Sequence, residues 1–143
     1  MGKAVIERLQ GADHVKLPVK ATPGSACFDI HAAEDTELVA GRVTMVRTGL
    51  KMRAPKGTFI EVRPRSGLSS KGVVMVNAPG TIDRDYAEEV KILLTLLVGS
   101  TYQIKAGDRI AQMRIVRETP AEIGWGRVRP MGKRSGGFGS TGR

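Results

Sequence analysis

Short stretches of alternating polar and apolar residues, each closed by a glycine or proline turn, constrain this chain more than any other feature. Residues 43–47, 58–63, 90–98 and 109–116 each read as strands. Between them stand turn signals: Ala40-Gly41-Arg42, Ala54-Pro55-Lys56-Gly57, Ala78-Pro79-Gly80 and Lys105-Ala106-Gly107-Asp108. Strands this short bury apolar side chains only by sharing a core, so the pattern predicts a sandwich or barrel rather than a parallel α/β sheet. Residues 66–72 predict one short helix closed by Gly72. From Thr119 onward the strand pattern gives way to Gly, Arg and Pro. The expected organisation is therefore a β core over residues 1–118 and an arm over 119–143, with no internal repeat.

Composition narrows the partners. With 143 residues the chain is long enough for one domain with a real core, and its single cysteine, Cys27, rules out a disulfide framework. The first eight residues carry no apolar run of signal-peptide length, and the longest apolar stretch, 92–98, is broken by Thr95 and too short to span a bilayer. A soluble, cytoplasmic protein is expected, with no membrane partner. A net charge of +9 points to polyanions. Nucleic acid and nucleotides both qualify. Aromatics at 4% supply few stacking platforms for an extended single strand, which weighs against nucleic-acid binding without closing the question.

Chemistry gathers in five places. Asp29 is an acid on the otherwise apolar strand Ser25-Ala26-Cys27-Phe28-Asp29-Ile30, and by itself it reads as a structural hydrogen-bonder or a ligand. Arg65 and Ser66 stand at the mouth of the short helix, as an anion site or as a capped helix with surface arginines. Asn77, Gly80, Asp83 and Tyr86 fall within ten residues, in what is either an ordinary Asp-rich turn or a hairpin presenting donors and acceptors along one edge. In the strand that follows Gly107-Asp108, alternation puts Ile110 and Gln112 on one face and Ala111 and Met113 on the other. An inward Gln112 then needs a polar partner. The tail Arg134-Ser135-Gly136-Gly137-Phe138-Gly139-Ser140-Thr141-Gly142-Arg143 combines close-approach glycines, hydroxyls, a phosphate fork and one stacking face. Read alone, such a tail favours a disordered terminus.

In this order and at these spacings, the chain from about Ser25 to Gly142 resembles the trimeric deoxyuridine triphosphatase (dUTPase) family. The segments Pro64-Arg65-Ser66-Gly67-Leu68, Gly80-Thr81-Ile82-Asp83-Arg84-Asp85-Tyr86 and Gly137-Phe138-Gly139-Ser140-Thr141-Gly142 carry the resemblance. It implies an antiparallel jelly-roll homotrimer with sites at subunit boundaries, in which the tail of one chain closes over a site formed by others. The implied reaction is Mg²⁺-assisted hydrolysis of dUTP to dUMP and pyrophosphate, which limits uracil in DNA and supplies dUMP for dTMP synthesis.

The resemblance also implies roles. Asp83 would activate the water that attacks the α-phosphorus, and Asp29 would hold Mg²⁺ through water. The main chain at Gly80 and Ile82, with Asn77, would read uracil, while Tyr86 would pack on the deoxyribose and exclude a 2′-hydroxyl. Arg65, Ser66, Gly67 and Gln112 would contact the phosphates. Arg134, Phe138, Gly139, Ser140 and Thr141 would form the lid.

This chain departs from the family pattern in four places. Cys27 stands where glycine is usual and Phe28 where tyrosine is common. Ala87-Glu88 replaces Arg-Gly, which suggests a changed local bulge. In the tail Lys133 and Arg134 occupy an Arg-Gly position, and Arg134 is favoured as the phosphate contact because its planar fork binds two oxygens. Trp125 is expected to anchor the arm to a neighbouring subunit. Cys27 is expected to be a small buried strand residue rather than a nucleophile. His14 and His31 lack a third ligand for zinc.

Overall fold

In the computed structural model, which describes residues 2–140 and 142, the chain forms eleven strands and one short helix. In order these are β1 (Val5–Arg8), β2 (Phe28–His31), β3 (Thr36–Val39), β4 (Thr44–Arg47), β5 (Leu50–Arg53), β6 (Thr58–Arg63), α1 (Ser66–Ser69), β7 (Val73–Met75), β8 (Gly80–Ile82), β9 (Lys91–Leu96), β10 (Thr101–Ile104) and β11 (Arg109–Arg117). Every pair of named strands is antiparallel. A four-stranded sheet β2-β11-β6-β8, a three-stranded sheet β4-β9-β7 and two ribbons, β1-β5 and β3-β10, make up the all-β jelly roll.

Of the predicted strands, β6 appears at its predicted bounds, and β4, β9 and β11 differ at their edges by one or two residues. Their alternation is the reason they form. In β6 Thr58, Ile60 and Val62 are buried while Phe59, Glu61 and Arg63 turn outward, and in β9 Ile92, Leu94 and Leu96 are buried. Ile30, Leu38, Val46, Leu50, Ile60, Leu94, Ile104 and Ile110 meet in one core, each from a different strand and each at 2% exposure or less. Fully burying such a side chain stabilises the fold by about 1.5–3 kcal/mol. Among polar groups, Thr48 is fully buried and fully used: its hydroxyl donates to the Val90 carbonyl and accepts from the Leu50 amide.

The helix is a single turn, Ser66–Ser69. Gly72 closes the segment at φ +84°, donating to the Ser69 carbonyl, and a Cβ there would collide with Val98. No helix of the described residues is long and apolar enough to cross a membrane. After β11 the amide of Glu118 donates to Gly57, and residues 119–140 and 142 then run without strand or helix, all of them exposed.

Candidate active site

The first part of the site hangs on the edge strand β8, which pairs with β6 through Gly80↔Val62, Thr81↔Glu61 and Ile82↔Ile60. Just beyond it the Tyr86 amide donates to the Asp83 carbonyl at 3.1 Å, closing a turn. The Tyr86 hydroxyl donates to the carbonyl of Glu89 at 2.9 Å. Glu89 is itself pinned: its carboxylate accepts from the Gly49 amide at 2.9 Å and from the Arg47 guanidinium at 3.1 Å. The phenol ring is thus held at both ends by a chain of bonds that reaches back to the β4–β5 connection. A cavity of about 190 Å³ results, walled by Asn77, Gly80, Ile82, Asp83 and Tyr86 with Val62, Met75 and Leu93 behind them. A Cβ on Gly80 would stand 3.4 Å from the Asn77 amide nitrogen, at van der Waals contact with that wall.

The second part lies across the sheet. Asp29 on β2 is 8% exposed. Arg65 donates to one of its oxygens at 3.1 Å, and Arg109 stands 3.5 Å from the other. Gln112 donates from its amide to the Pro64 carbonyl at 2.9 Å, which fixes the segment entering α1. Ser25, Cys27, Asp29, Arg65, Ser66 and Gln112 line a polar cavity of about 230 Å³. Two guanidinium groups and a hydroxyl around one carboxylate suit a polyanion with a cation beside it.

Sheet order explains why the two cavities share no lining residue. β2 and β8 are opposite edges, with β11 and β6 between them. Three strand spacings of about 4.8 Å separate their backbones by roughly 14 Å. Asp29 and Asp83 therefore serve different cavities in one chain.

Gln112 corrects the face expected from simple alternation. Pairing of β11 with β2 runs Arg109↔His31, then Ala111↔Ile30 and Gln112↔Asp29, so Ile110 is the extra residue of a bulge. Ile110 and Ala111 are both buried as a result, and Gln112 faces the polar cavity instead of sharing the face of Ile110. Glu88 adopts no left-handed backbone; Phe138, at φ 51°, is the one described non-glycine residue with positive φ. Cys27 is buried as expected, but it precedes β2 and lines the anion cavity. Arg109 and Glu89 escaped the sequence reading, because their partners lie across strand pairings with no local signature.

His31 sits beside this cluster on β2, 9% exposed, with no partner for Nδ1 among the described residues. Burial lowers its pKa, opposed by the nearby Asp29 charge. Between that lowered value and the ordinary value of about 6.5, the unfolded chain binds the proton more readily than the folded one. Stability present above about pH 6.5 is therefore lost as pH falls below it. Urea midpoints at pH 7.5 and 5.5 should show this decline, and His31→Phe should reduce it.

The tail stands apart. Its backbone bonds are local, Ser140 to Gly137 and Gly142 to Gly139, and Phe138 is fully exposed. Arg134, Gly139 and Ser140 are exposed, and Thr141 lies outside the described residues. Trp125, with Ile123, Val128 and Met131, projects from the arm at 93% exposure or more.

Comparison with known proteins agrees with this layout. Residues 13–142 match the dUTPase family. The chain is 41% identical over 150 residues to the deoxyuridine 5′-triphosphate nucleotidohydrolase of Wolbachia pipientis subsp. Culex pipiens (strain wPip), covering 99% of this chain and 96% of that one. It is 43% identical over 143 residues to the protein of that name from Brucella melitensis biotype 2, covering 96% and 91%. Among solved structures, a mutant dUTPase of Staphylococcus bacteriophage 80alpha with dUpNHpp superimposes at a TM-score of 0.80 with 23% identity, covering 99% of both chains. A mutant dUTPase from phage phi11 of S. aureus, described with a structural Mg(II) ion, matches at 0.76 with 23% identity, covering 89% of this chain and 98% of that one. At these identities the structural likeness speaks for the fold.

Proposed function

The chain belongs to the dUTPase family and hydrolyses dUTP, and from that premise we propose that Asp83 orients and deprotonates the attacking water. The water oxygen bonds to the α-phosphorus as the α–β bridging P–O bond breaks, leaving dUMP and pyrophosphate. Positioning and charge neutralisation carry most of such a reaction. The observation that carries this reading is the cavity walled by Asn77, Gly80, Ile82 and Tyr86 with Asp83 at its exposed side.

Uracil pairs with main-chain groups at Gly80 and Ile82 and with Asn77. Cytosine would leave those groups unpaired, and buried unpaired groups discriminate strongly. Tyr86, held through Glu89, stacks on the deoxyribose and leaves no space for a 2′-hydroxyl. Arg65, Ser66, Gly67 and Gln112 bind the phosphates. The two cavities of one chain are disjoint, which supports a homotrimer in which the base cavity of one copy meets the anion cavity of another. Four large apolar arm residues left fully exposed on a lone chain support the same assembly.

The donor set fits Mg²⁺. Among the described residues no three His, Cys, Asp or Glu converge on a metal site, and the anion cavity holds one carboxylate, Asp29. Magnesium that keeps its waters and leans on substrate phosphates needs no more than this. Asp29 would hold it through water, and when bound the ion neutralises phosphate charge.

The lid comprises Phe138 over the base, with Gly139, Ser140, Thr141 and Arg134 toward the phosphates. Arg134→Ala should lower kcat/KM for dUTP about tenfold or more, and Lys133→Ala by less than about threefold, as expected when one charge-assisted pair is lost. Steady-state kinetics of the two variants decide this, and the reverse order would assign the contact to Lys133.

Pyrophosphate release measured with dUTP, dTTP, dCTP and UTP, with Asp83→Asn as control, tests the whole reading. Release confined to dUTP and lost in the control is expected. Ammonia release from dCTP would replace the reading with a deaminase.

A further inference from the structure

Beside the base cavity runs an open groove of about 570 Å³ that shares Asn77, Tyr86, Lys91 and Leu93 with it. Leu9, Met45 and Leu93 give it an apolar floor, and Met45 is 62% exposed. Glu88 stands on its rim, where the dUTPase pattern carries glycine, so this carboxylate is a departure of the present chain. Its neighbour Glu89 is consumed by Arg47 and Gly49. Glu88, in contrast, is exposed and makes no ion pair among the described residues.

The arm offers the complement. Between residues 119 and 140 it carries Arg127, Arg129, Lys133 and Arg134 against one acid, Glu122. None of these four cations is ion-paired within the described chain, and all are exposed. Val128 and Met131, 98% and 93% exposed, are interspersed among them. An apolar floor rimmed by the carboxylate of Glu88, with the exposed Lys91 as the one cation of its lining, thus complements a segment that alternates apolar and basic groups at the Glu88 side.

Reach and direction agree. With Phe138 over the base, residues 127–133 lie five to eleven positions upstream, or at most about 17–36 Å of extended chain. A groove contiguous with the base cavity falls within that span. The arm of the same chain leaves the core away from its own base cavity: Arg117 pairs with Thr58, at the far end of β6 from the Val62↔Gly80 pair. Beyond Glu118, no backbone hydrogen bond ties the described residues of the arm to their own core, and all of them are exposed.

We propose that Glu88 is a positioning residue for the lid, receiving a cation of the segment Arg127–Lys133 from a second copy while Val128 and Met131 settle on Leu9, Met45 and Leu93. The contact brings the lid to the base cavity before Phe138 and Arg134 engage substrate. It acts through the lid and touches no reacting atom. This inference rests on the function proposed above, which wild-type pyrophosphate release from dUTP tests separately.

The test is a charge series at Glu88 with dUTP as substrate. An exposed ion pair changes an equilibrium a few-fold at most, and reversal adds repulsion to the loss. Glu88→Gln should raise KM about threefold and Glu88→Lys about tenfold, with kcat changed by less than about twofold and both effects shrinking in about 0.5 M salt. Adding Arg127→Glu, Arg129→Glu or Lys133→Glu to Glu88→Lys should restore KM for one partner. In the full chain with Arg127, Arg129 and Lys133 all replaced by Gln, Glu88→Lys should leave the dissociation constant of a non-hydrolysable dUTP analogue unchanged within about twofold. An unchanged KM in both Glu88 variants, no rescue by any partner, or an equal effect with the three cations neutralised would each overturn the proposal.

Discussion

Replacing Asp83 by Asn should lower the turnover of dUTP by about a thousandfold, within the range expected for loss of a general base. Binding of a non-hydrolysable analogue should stay within about threefold, because the change is isosteric and binding is spread over the base cavity and the phosphate contacts. The local fold gives reason to expect a clean result. The bond that closes the turn runs from the Tyr86 amide to the Asp83 main-chain carbonyl, so it survives the side-chain change. Tyr86 also keeps its bond to the Glu89 carbonyl. Single-turnover pyrophosphate release gives the rate and calorimetry with the analogue gives the affinity. A variant retaining more than about a tenth of wild-type turnover would assign the base elsewhere, since a positioned base contributes at least about a hundredfold.

Deleting residues 133–143 should cost the next largest factor, about a hundredfold to a thousandfold in kcat/KM, with the melting temperature of the core unchanged. The second half of that expectation follows from contact: among the described residues the tail's backbone bonds run only within the tail, and Phe138 is fully exposed. The first half follows from balance. Ordering about ten residues costs on the order of 10 kcal/mol. Stacking Phe138 on a base returns roughly 1–3 kcal/mol. Charge-assisted bonds to phosphate, at about 1.5–3 kcal/mol each, must supply much of the remainder. A triphosphate offers enough acceptors for several such bonds and a monophosphate offers fewer, so the lid should close on dUTP and loosen on dUMP. Limited proteolysis with the non-hydrolysable analogue and with dUMP measures this directly. Equal protection of the tail by both would sink the account.

Much of the fold was legible because alternation with period two is a local property. β6 was predicted at its observed bounds, and β4, β9 and β11 were predicted within two residues of theirs. Six strands are not predicted: β1, β3, β5 and β10, four residues each, and β7 and β8, three residues each, because so short a segment holds at most two periods. Candidate site residues were legible for another reason. Arg65, Ser66 and Asp83 through Tyr86 sit in turns and at a helix mouth, where side-chain chemistry has few structural explanations competing with it. Arg109 and Glu89 were not legible. Their partners Asp29 and Arg47 stand 80 and 42 positions away, and no local pattern announces a contact of that kind.

By itself the sequence determined the strand-and-turn alternation, the all-β class, and the residue types grouped in each chemical segment, since all of these depend on neighbours within about ten positions. Tertiary structure alone decided how those segments combine. Pairing of β2 with β11 and of β11 with β6 brings Asp29, Gln112 and Arg65 to one polar cavity, although they lie 36 or more positions apart along the chain. The bulge at Ile110 turned Gln112 toward that cavity, against the alternation read from the segment itself. The order β2-β11-β6-β8 then set Asp29 and Asp83 at opposite edges of one sheet. The physical reason is common to all three: backbone hydrogen bonding accepts any register along a strand, and only the competition of many side chains for one core selects among them.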